Sequence, residues 1–176
     1  MQGFEKKILF SLGVNKIAVM KICLLVIGKT DAAYIREGIA EYEKRLVKYV
    51  PYEMKVLPEV KYVKNRTEVQ QKEREGELLL GQFQESDWVV LLDERGKQYS
   101  SVEFAAYLEQ RMVAGVKRLV FVVGGPYGFS EGVYARANDR VSLSRMTFSH
   151  QMVRMIFVEQ FYRAMTILKG EPYHHE

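Results

Sequence analysis

A glycine-rich segment follows directly on an apolar run in the second half of the chain, where residues 119–130 read LVFVVGGPYGFS. The apolar run predicts a buried strand, and glycines at its end indicate that a ligand or another stretch of backbone approaches closely. The loop has neither the Gly-x-Gly-x-x-Gly pattern of dinucleotide sites nor the Gly-Lys-Ser/Thr of a phosphate loop. Its bare backbone could instead bond the edge of an uncharged base or a ribose, and a purely structural turn is the alternative.

Two further segments have residues suited to a binding site, LLDERGK at 91–97 and LSRMTF at 143–148. Each follows a predicted strand, and ligands of parallel α/β sheets bind beyond the carboxyl ends of the strands. We therefore expect the three loops to meet at one edge of a sheet. For LSRMTF two interpretations stay open: an ordinary strand end with Ser149 capping the next helix, or a loop that folds over a flat apolar ligand such as adenine.

The chain ends in EPYHHE, which raises the question of a metal site. Adjacent histidines point in different directions on most backbones, and no carboxylate–histidine helix motif supports them. We therefore expect no metal here. Because the tail has an aromatic residue and no solubilising run, docking of the tail near a functional site is the favoured interpretation.

Strand and helix patterns alternate along the chain. Near-continuous apolar runs at 21–27, 87–93 and 118–123 are typical of strands covered on both faces, and ERGK at 94–97 indicates a turn. Asp31 is placed to cap the first helix, and a long helix is expected from about His150 to Leu168. The predicted fold class is α/β, with a mostly parallel sheet of about five strands flanked by helices.

The composition and charge of the chain limit the classes of protein to which it can belong. The 176 residues, 48% of them hydrophobic, suit one globular domain at 20–176, with residues 1–19 as an upstream extension of different character. The single cysteine, Cys23, leaves no disulfide framework, and no run reaches the ~18–20 apolar residues of a membrane span, so we expect a soluble cytosolic protein. From Arg111 to Lys169 there are nine basic and three acidic residues, which favours an anionic partner.

Together these motifs closely resemble one family. The residues that carry the likeness are GGP-x-G, the S-x-x-T-F segment, HQMVR at 150–154, EQFYRA at 159–164 and the ending GEPYHHE. They are similar to the RlmH family of SPOUT-class methyltransferases, which act at N3 of a pseudouridine in bacterial large-subunit (23S) ribosomal RNA. The resemblance covers residues 20–176. The chain departs from the family pattern at Ser149, where relatives often have proline, and at His175, where they have a basic residue.

The resemblance implies a SPOUT-type sheet with a C-terminal deep trefoil knot, a homodimer, and a cytoplasmic partner in the ribosome or its 23S RNA, without membrane or metal. It also implies S-adenosylmethionine as the cofactor. Carried over residue by residue, cofactor binding falls on Leu92, Gly124, Leu143, Ser144, Arg145, Met146, Thr147 and Phe148. Leu92, Met146 and Phe148 would sandwich the adenine, while backbone groups of Gly124 and of the 143–148 loop would bond its edge and the ribose.

Methylation of an imide nitrogen also requires that its proton leave. By resemblance, the residues that face the RNA and its target base are Arg163, Tyr173 and His174, taken as catalytic, with His150 and Arg154 taken as RNA-binding. Glu159 could pair with one of the arginines. Two other classes stay open: a non-catalytic ribosome- or RNA-binding protein on the same fold, and a flavodoxin-like module that binds a flavin or a nucleotide.

Overall fold

The computed structural model describes residues 19–61 and 66–175. The expected extension at 1–19 lies outside the described residues except for Val19. Five strands form one sheet: Lys21–Ile27 (β1), Tyr52–Leu57 (β2), Trp88–Gln98 (β3), Arg118–Val123 (β4) and Asp139–Ser142 (β5). Their order is β2-β1-β4-β3-β5, and every pairing is parallel. The expected α/β class with about five parallel strands is confirmed.

Five helices cover the two faces of the sheet. They are Ala33–Leu46 (α1), Glu68–Leu80 (α2), Ser101–Val113 (α3), Glu131–Arg136 (α4) and Met152–Lys169 (α5). Helices α1, α3 and α5 pack on one face, and α2 and α4 pack on the other. Successive residues of β1 alternate between the two cores, with Leu24 in one and Leu25 in the other. This double burial explains why the central strands are almost uninterrupted apolar runs.

Strand β3 is longer than its apolar run. The turn expected at 94–97 is wrong, because the strand continues to Gln98 and pairs with β5 a second time. Val141 is opposite both Leu92 and Lys97, so the residues between them leave the ladder and return to it. A Cβ at Gly96 would lie 2.7 Å from the backbone of Arg140 and Val141. Glycine is required there because two strands of backbone come into contact.

The start of α1 depends on a residue from the far end of the chain. Ala32 occupies the N-cap position, and the Gln151 Oε1 atom accepts hydrogen bonds from the backbone N–H groups of Asp31, at 2.9 Å, and Ala32, at 3.4 Å. Asp31 was expected to cap α1, but its Oδ2 atom instead accepts a bond from Gln151 Nε2 at 2.9 Å. Residues just before α5 therefore hold the entry of α1.

The last helix begins later than expected, at Met152, and ends at Lys169. The next residue, Gly170, has a φ of 67°, in the left-handed region that favours glycine. Ser149 acts as its cap, since its hydroxyl accepts a hydrogen bond from Met152 N at 3.1 Å. Throughout 19–61 and 66–175, each helix is too short or too polar to cross a bilayer.

Candidate active site

The three expected segments meet at the carboxyl edge of the sheet, because β4, β3 and β5 are neighbours and parallel, although 91–97 is the irregular part of β3 and not a loop. They enclose an open cavity of about 570 Å³. Its walls come from the end of β3, the glycine loop after β4, and the loop between β5 and α5. The lining includes Val123–Phe129, Ser142–Ser144 and Met146–His150.

Seven of the eight residues expected to bind a cofactor line this cavity: Leu92, Gly124, Leu143, Ser144, Met146, Thr147 and Phe148. Arg145 is exposed and does not line it. His150, expected to bind RNA, is exposed and lies in the cavity wall at the entry of α5. The cavity thus collects residues that are up to 61 positions apart in the chain, from Leu92 to Val153.

Hydrogen bonds within the loop between β5 and α5 fix its shape. Ser142 Oγ donates to the carbonyl of Ser144 at 2.8 Å, and Ser144 Oγ accepts from Met146 N at 2.9 Å. Thr147 Oγ1 lies 3.3 Å from Glu94 Oε2, which connects this loop to the end of β3. Met146 remains 77% exposed. An apolar side chain held in the open at the edge of a cavity is suited to cover a flat ligand.

Side chains set the position of the glycine loop from behind. A Cβ at Gly124 would lie 3.1 Å from the ring of Phe129, and a Cβ at Gly125 would overlap the carboxylate of Glu75. Gly128 has a φ of 79°, which an L-residue rarely adopts. The first two glycines therefore lie between packed side chains and the cavity, and backbone lines the cavity at both positions.

Several lining residues were missed by the sequence reasoning. The end of β3 contributes Asp93, Glu94 and Arg95, and Tyr134 reaches the cavity from α4. Tyr134 donates a hydrogen bond to Asp93, and burial, reinforced by this carboxylate, raises the pKa of Tyr134 to about 12. The polar residues of LLDERGK, which follow a buried apolar run, could have indicated that Asp93 and Glu94 lie at the site.

Arg154 does not have the exposed position that was expected of an RNA-binding residue. It is 1% exposed, and its guanidinium donates to the carbonyl of Ile27 at 2.7 Å, to that of Gly28 at 2.9 Å and to that of His150 at 3.0 Å. A further bond reaches Thr30 Oγ1 at 3.0 Å. This is a correction: the group joins α5 to the end of β1, and it has no surface left for a phosphate.

The residues expected to be catalytic form a second group near the end of α5. Glu159 accepts a hydrogen bond from Arg163 Nη2 at 2.5 Å and from the Tyr173 hydroxyl at 3.0 Å. The Arg163 guanidinium lies 4.7 Å from the centre of the Tyr173 ring, which packs on Tyr162. Burial and hydrogen bonds to Tyr42 and Glu159 raise the pKa of Tyr173. We call Glu159, Tyr162, Arg163 and Tyr173 the tail cluster.

His174 follows the tail cluster directly. Its Nδ1 atom is buried and has no hydrogen-bond partner within the described part of the chain. The Tyr49 hydroxyl donates a hydrogen bond to Glu171, so the tail is held by the turn after α1 as well as by α5. The tail is docked, as expected, but it is docked away from the cavity.

The cavity lies at the start of α5, whereas the tail cluster is formed by the middle of the helix together with the docked tail. Val153, in the first turn, lines the cavity, while Arg163 is ten residues further along, which corresponds to about 15 Å of helix. One chain therefore brings the expected site residues together in two groups, not one. Among residues 19–61 and 66–175, no group of three His, Cys, Asp or Glu side chains is arranged to hold a metal ion.

Comparisons with known proteins show the family to which the chain belongs. The family model described as "Predicted SPOUT methyltransferase" matches residues 20–174. A protein of Parabacteroides distasonis named ribosomal RNA large subunit methyltransferase H is 63% identical, over 89% of this chain and 100% of its own length. Proteins of the same name from Christiangramia forsetii and Porphyromonas gingivalis are 58% and 55% identical, over 89% of this chain and 99% and 100% of their own lengths. This chain belongs to the SPOUT methyltransferase family.

Proposed function

We propose that this chain is an S-adenosylmethionine-dependent methyltransferase that methylates N3 of a pseudouridine in 23S ribosomal RNA, on assembled cytoplasmic ribosomes. The observation that carries the proposal is the cavity at the carboxyl edge, lined by seven of the eight residues expected to bind the cofactor. The relatives' names support ribosomal RNA of the large subunit as the substrate. The trefoil knot and the separate character of residues 1–19 stay predictions.

The residues of the cavity fit the proposed cofactor. Apolar surfaces for an adenine ring come from Leu92, Met146 and Phe148. At Gly124 the absence of a side chain leaves the backbone accessible and avoids a close contact with the Phe129 ring. A volume of about 570 Å³ is within the range of small-molecule sites. When bound, S-adenosylmethionine supplies a methyl group on a sulfonium, which an in-line nucleophile can accept. The protein's part is therefore mainly to position the reacting groups.

The tail cluster supplies the groups that act on the base. A neutral imide nitrogen is a poor nucleophile, so its proton must pass to solvent water as the nitrogen takes the methyl group from the sulfonium. The Arg163 guanidinium, fixed by Glu159 and by the Tyr173 ring, can stabilise the anionic imide, and Tyr173 and His174 lie beside it to orient the base. Preorganised groups of this kind are worth about 10²–10⁴ in rate.

A homodimer would join the two groups. Because about 15 Å of helix separates Arg163 from the cavity of its own chain, we infer that the tail cluster of one protomer lies over the cavity of its partner. The unpartnered Nδ1 of His174 and the exposed Met146 would then both gain neighbours. His150, in the cavity wall, stays the candidate contact to RNA.

The dimer is tested by mixing two impaired variants at a cofactor concentration below the wild-type dissociation constant. Gly124→Ala weakens cofactor binding in the cavity, and Arg163→Ala damages the tail cluster. If the site is shared, random exchange gives half mixed dimers with one intact site each, so activity should rise to about a quarter of the wild-type value. If each chain completes its own site, the mixture is no more active than the average of the two variants.

The function is tested by transfer of a labelled methyl group to ribosomes that lack the modification, with the product mapped to the nucleotide. Incorporation at N3 of one pseudouridine is the expected result. A folded protein that binds the cofactor but labels no ribosome would favour the non-catalytic ribosome-binding alternative. S-adenosylhomocysteine, which is what remains of the cofactor after methyl transfer, should stabilise the protein by ~2.7 kcal/mol when it is present at about 100 times its dissociation constant. A shift with flavin mononucleotide instead would contradict the proposal.

A further inference from the structure

Glu75 is a buried carboxyl group that the proposed reaction does not use. It lies in α2 and is 3% exposed. Its Oε1 atom accepts a hydrogen bond from Gln71 Nε2 at 2.9 Å, whereas Oε2 is buried without a hydrogen-bond partner among the described residues. A buried carboxylate that lacks a partner destabilises a protein, so its presence requires an explanation.

Only the backbone of one glycine separates this carboxyl from the cavity. Gly125 lines the cavity, and a Cβ at Gly125 would overlap Glu75 Oε2. The unpartnered oxygen is therefore directed at the rear of the glycine loop. A residue with a side chain at this position would displace the carboxyl, so Gly125 allows a charge to approach the cavity without entering it.

Among the residues that the structure describes, the groups acting on the Glu75 carboxyl supply little positive charge. Burial raises its pKa and the carboxylate of Glu59 raises it further, while the hydrogen bond from Gln71 and the charge of His150 lower it. His150 also lines the cavity. Positive charge placed in the cavity would therefore favour the ionised form of Glu75, and the ionised form would in turn attract that charge.

We propose that Glu75 is a specificity residue that recognises the positive charge of the methyl donor through the Gly125 backbone. This inference rests on the proposed function. S-adenosylmethionine has a sulfonium, and loss of its methyl group leaves a neutral thioether with the rest of the molecule unchanged. A fixed negative charge close to the cavity favours the donor over the product, and so it helps product leave after transfer.

The test compares dissociation constants for S-adenosylmethionine and S-adenosylhomocysteine, measured by titration calorimetry. Glu75→Gln removes the charge and keeps the shape. We expect it to weaken binding of the donor about tenfold and to leave binding of the product within about twofold of wild type. Glu73→Gln is the matched control, because Glu73 is exposed on the same helix, and both affinities should stay unchanged. Thermal melting should show that Glu75→Gln is at least as stable as wild type, since it loses an unpaired buried charge.

Other outcomes decide against the inference in distinguishable ways. Equal losses for both ligands would mean that Glu75 only supports the loop, and no loss would mean that its charge does not reach the cavity. If Glu75→Gln does not fold, Glu75→Asp takes its place. Asp keeps the charge and should keep the wild-type ratio of the two affinities, and a collapse of that ratio would refute charge recognition. Wild-type protein that binds neither ligand would overturn the proposed function itself.

Discussion

The cavity and the tail cluster are built in opposite ways. The cavity is formed by loops, and it has backbone at Gly124 and Gly125 and an apolar side chain, Met146, left 77% exposed. The tail cluster is formed by side chains already bonded to one another, with Glu159 between Arg163 and Tyr173. A loop-built cavity can adapt to a ligand, whereas a bonded cluster is preorganised for one charge distribution. In the proposed reaction, the cavity would bind the cofactor and the tail cluster would act on the base, so the contrast assigns the two tasks to different parts of the chain.

The largest expected effect of a single change is on the tail cluster. Arg163→Ala should lower the rate of methyl transfer by about 10²–10⁴ and leave the affinity for S-adenosylhomocysteine unchanged, because the side chain acts on the target base and is absent from the cavity lining. Single-turnover labelling of ribosomes and calorimetry measure the two quantities. Arg74→Ala, at an exposed arginine of α2 paired with Glu77, is the control and should change neither. If Arg163→Ala also weakened the binding of S-adenosylhomocysteine, the proposed separation between cofactor binding in the cavity and chemistry in the tail cluster would be wrong.

Arg154 lies between the two regions, and its loss should affect the fold. Arg154→Met leaves the carbonyls of Ile27, Gly28 and His150 without their donor inside the core. We expect the free energy of unfolding to fall by about 3 kcal/mol, as read from urea denaturation. Arg163→Ala should cost under about 1 kcal/mol in the same assay. An Arg154→Met protein of wild-type stability that loses affinity for RNA would restore the phosphate-binding role.

A smaller effect is expected at Gly124, and it sharpens the description of the cavity. In Gly124→Ala the new methyl group would lie 3.1 Å from the Phe129 ring, a contact that a slight shift of the loop can relieve. We expect roughly tenfold weaker binding of S-adenosylhomocysteine and a loss of about 1 kcal/mol in stability. The control is Gly81→Ala, whose Cβ would be 3.5 Å from its nearest neighbour. If Gly124→Ala does not fold, Gly124 is required for the predicted knot and not for binding of the ligand.

The smallest effect concerns the cavity wall at high pH. The pKa of Tyr134, about 12 in the folded protein, exceeds its ordinary value of about 10. The contribution of Tyr134 to stability is therefore complete below pH ~10 and is lost as pH rises toward 12. In Tyr134→Phe the free energy of unfolding should fall less steeply with pH over this range. Curves of the same slope for both proteins would show that the phenol does not differ between the folded and unfolded states.

Much of the arrangement could be predicted because strand burial and loop position follow simple patterns. The apolar runs of β1, β3 and β4 indicated a parallel sheet, and a parallel sheet places the loops after β3, β4 and β5 at one edge. The role of Arg154 could not be predicted, since a charged residue within HQMVR gives no sign that three carbonyls need a donor in the core. Glu75 was equally hidden, because its helix segment KEREGE reads as a solvated surface.

The separation of the two groups was also beyond the sequence. The motifs show which residues belong to a family but not which protomer provides them. Helix α5 is 18 residues long and runs antiparallel to the strands. Its first turns therefore lie at the carboxyl edge of the sheet, and its later turns lie toward the amino edge. Local capping failed for a related reason: Asp31 has the right residue type, yet Gln151, 120 positions away, forms the bonds.

That distant cap has a consequence for the order in which the chain folds. During synthesis, α1 leaves the ribosome when Gln151 has not yet been made, so the N–H groups of Asp31 and Ala32, just before the helix, must wait for the last helix to be bonded as in the folded protein. Strand β4, which pairs with β1 on the side opposite β2, is also synthesised long after β1. Long-range closure of this kind slows folding. We expect the nascent chain to reach its stable form only after release, with the first and last helices becoming protected from hydrogen exchange together.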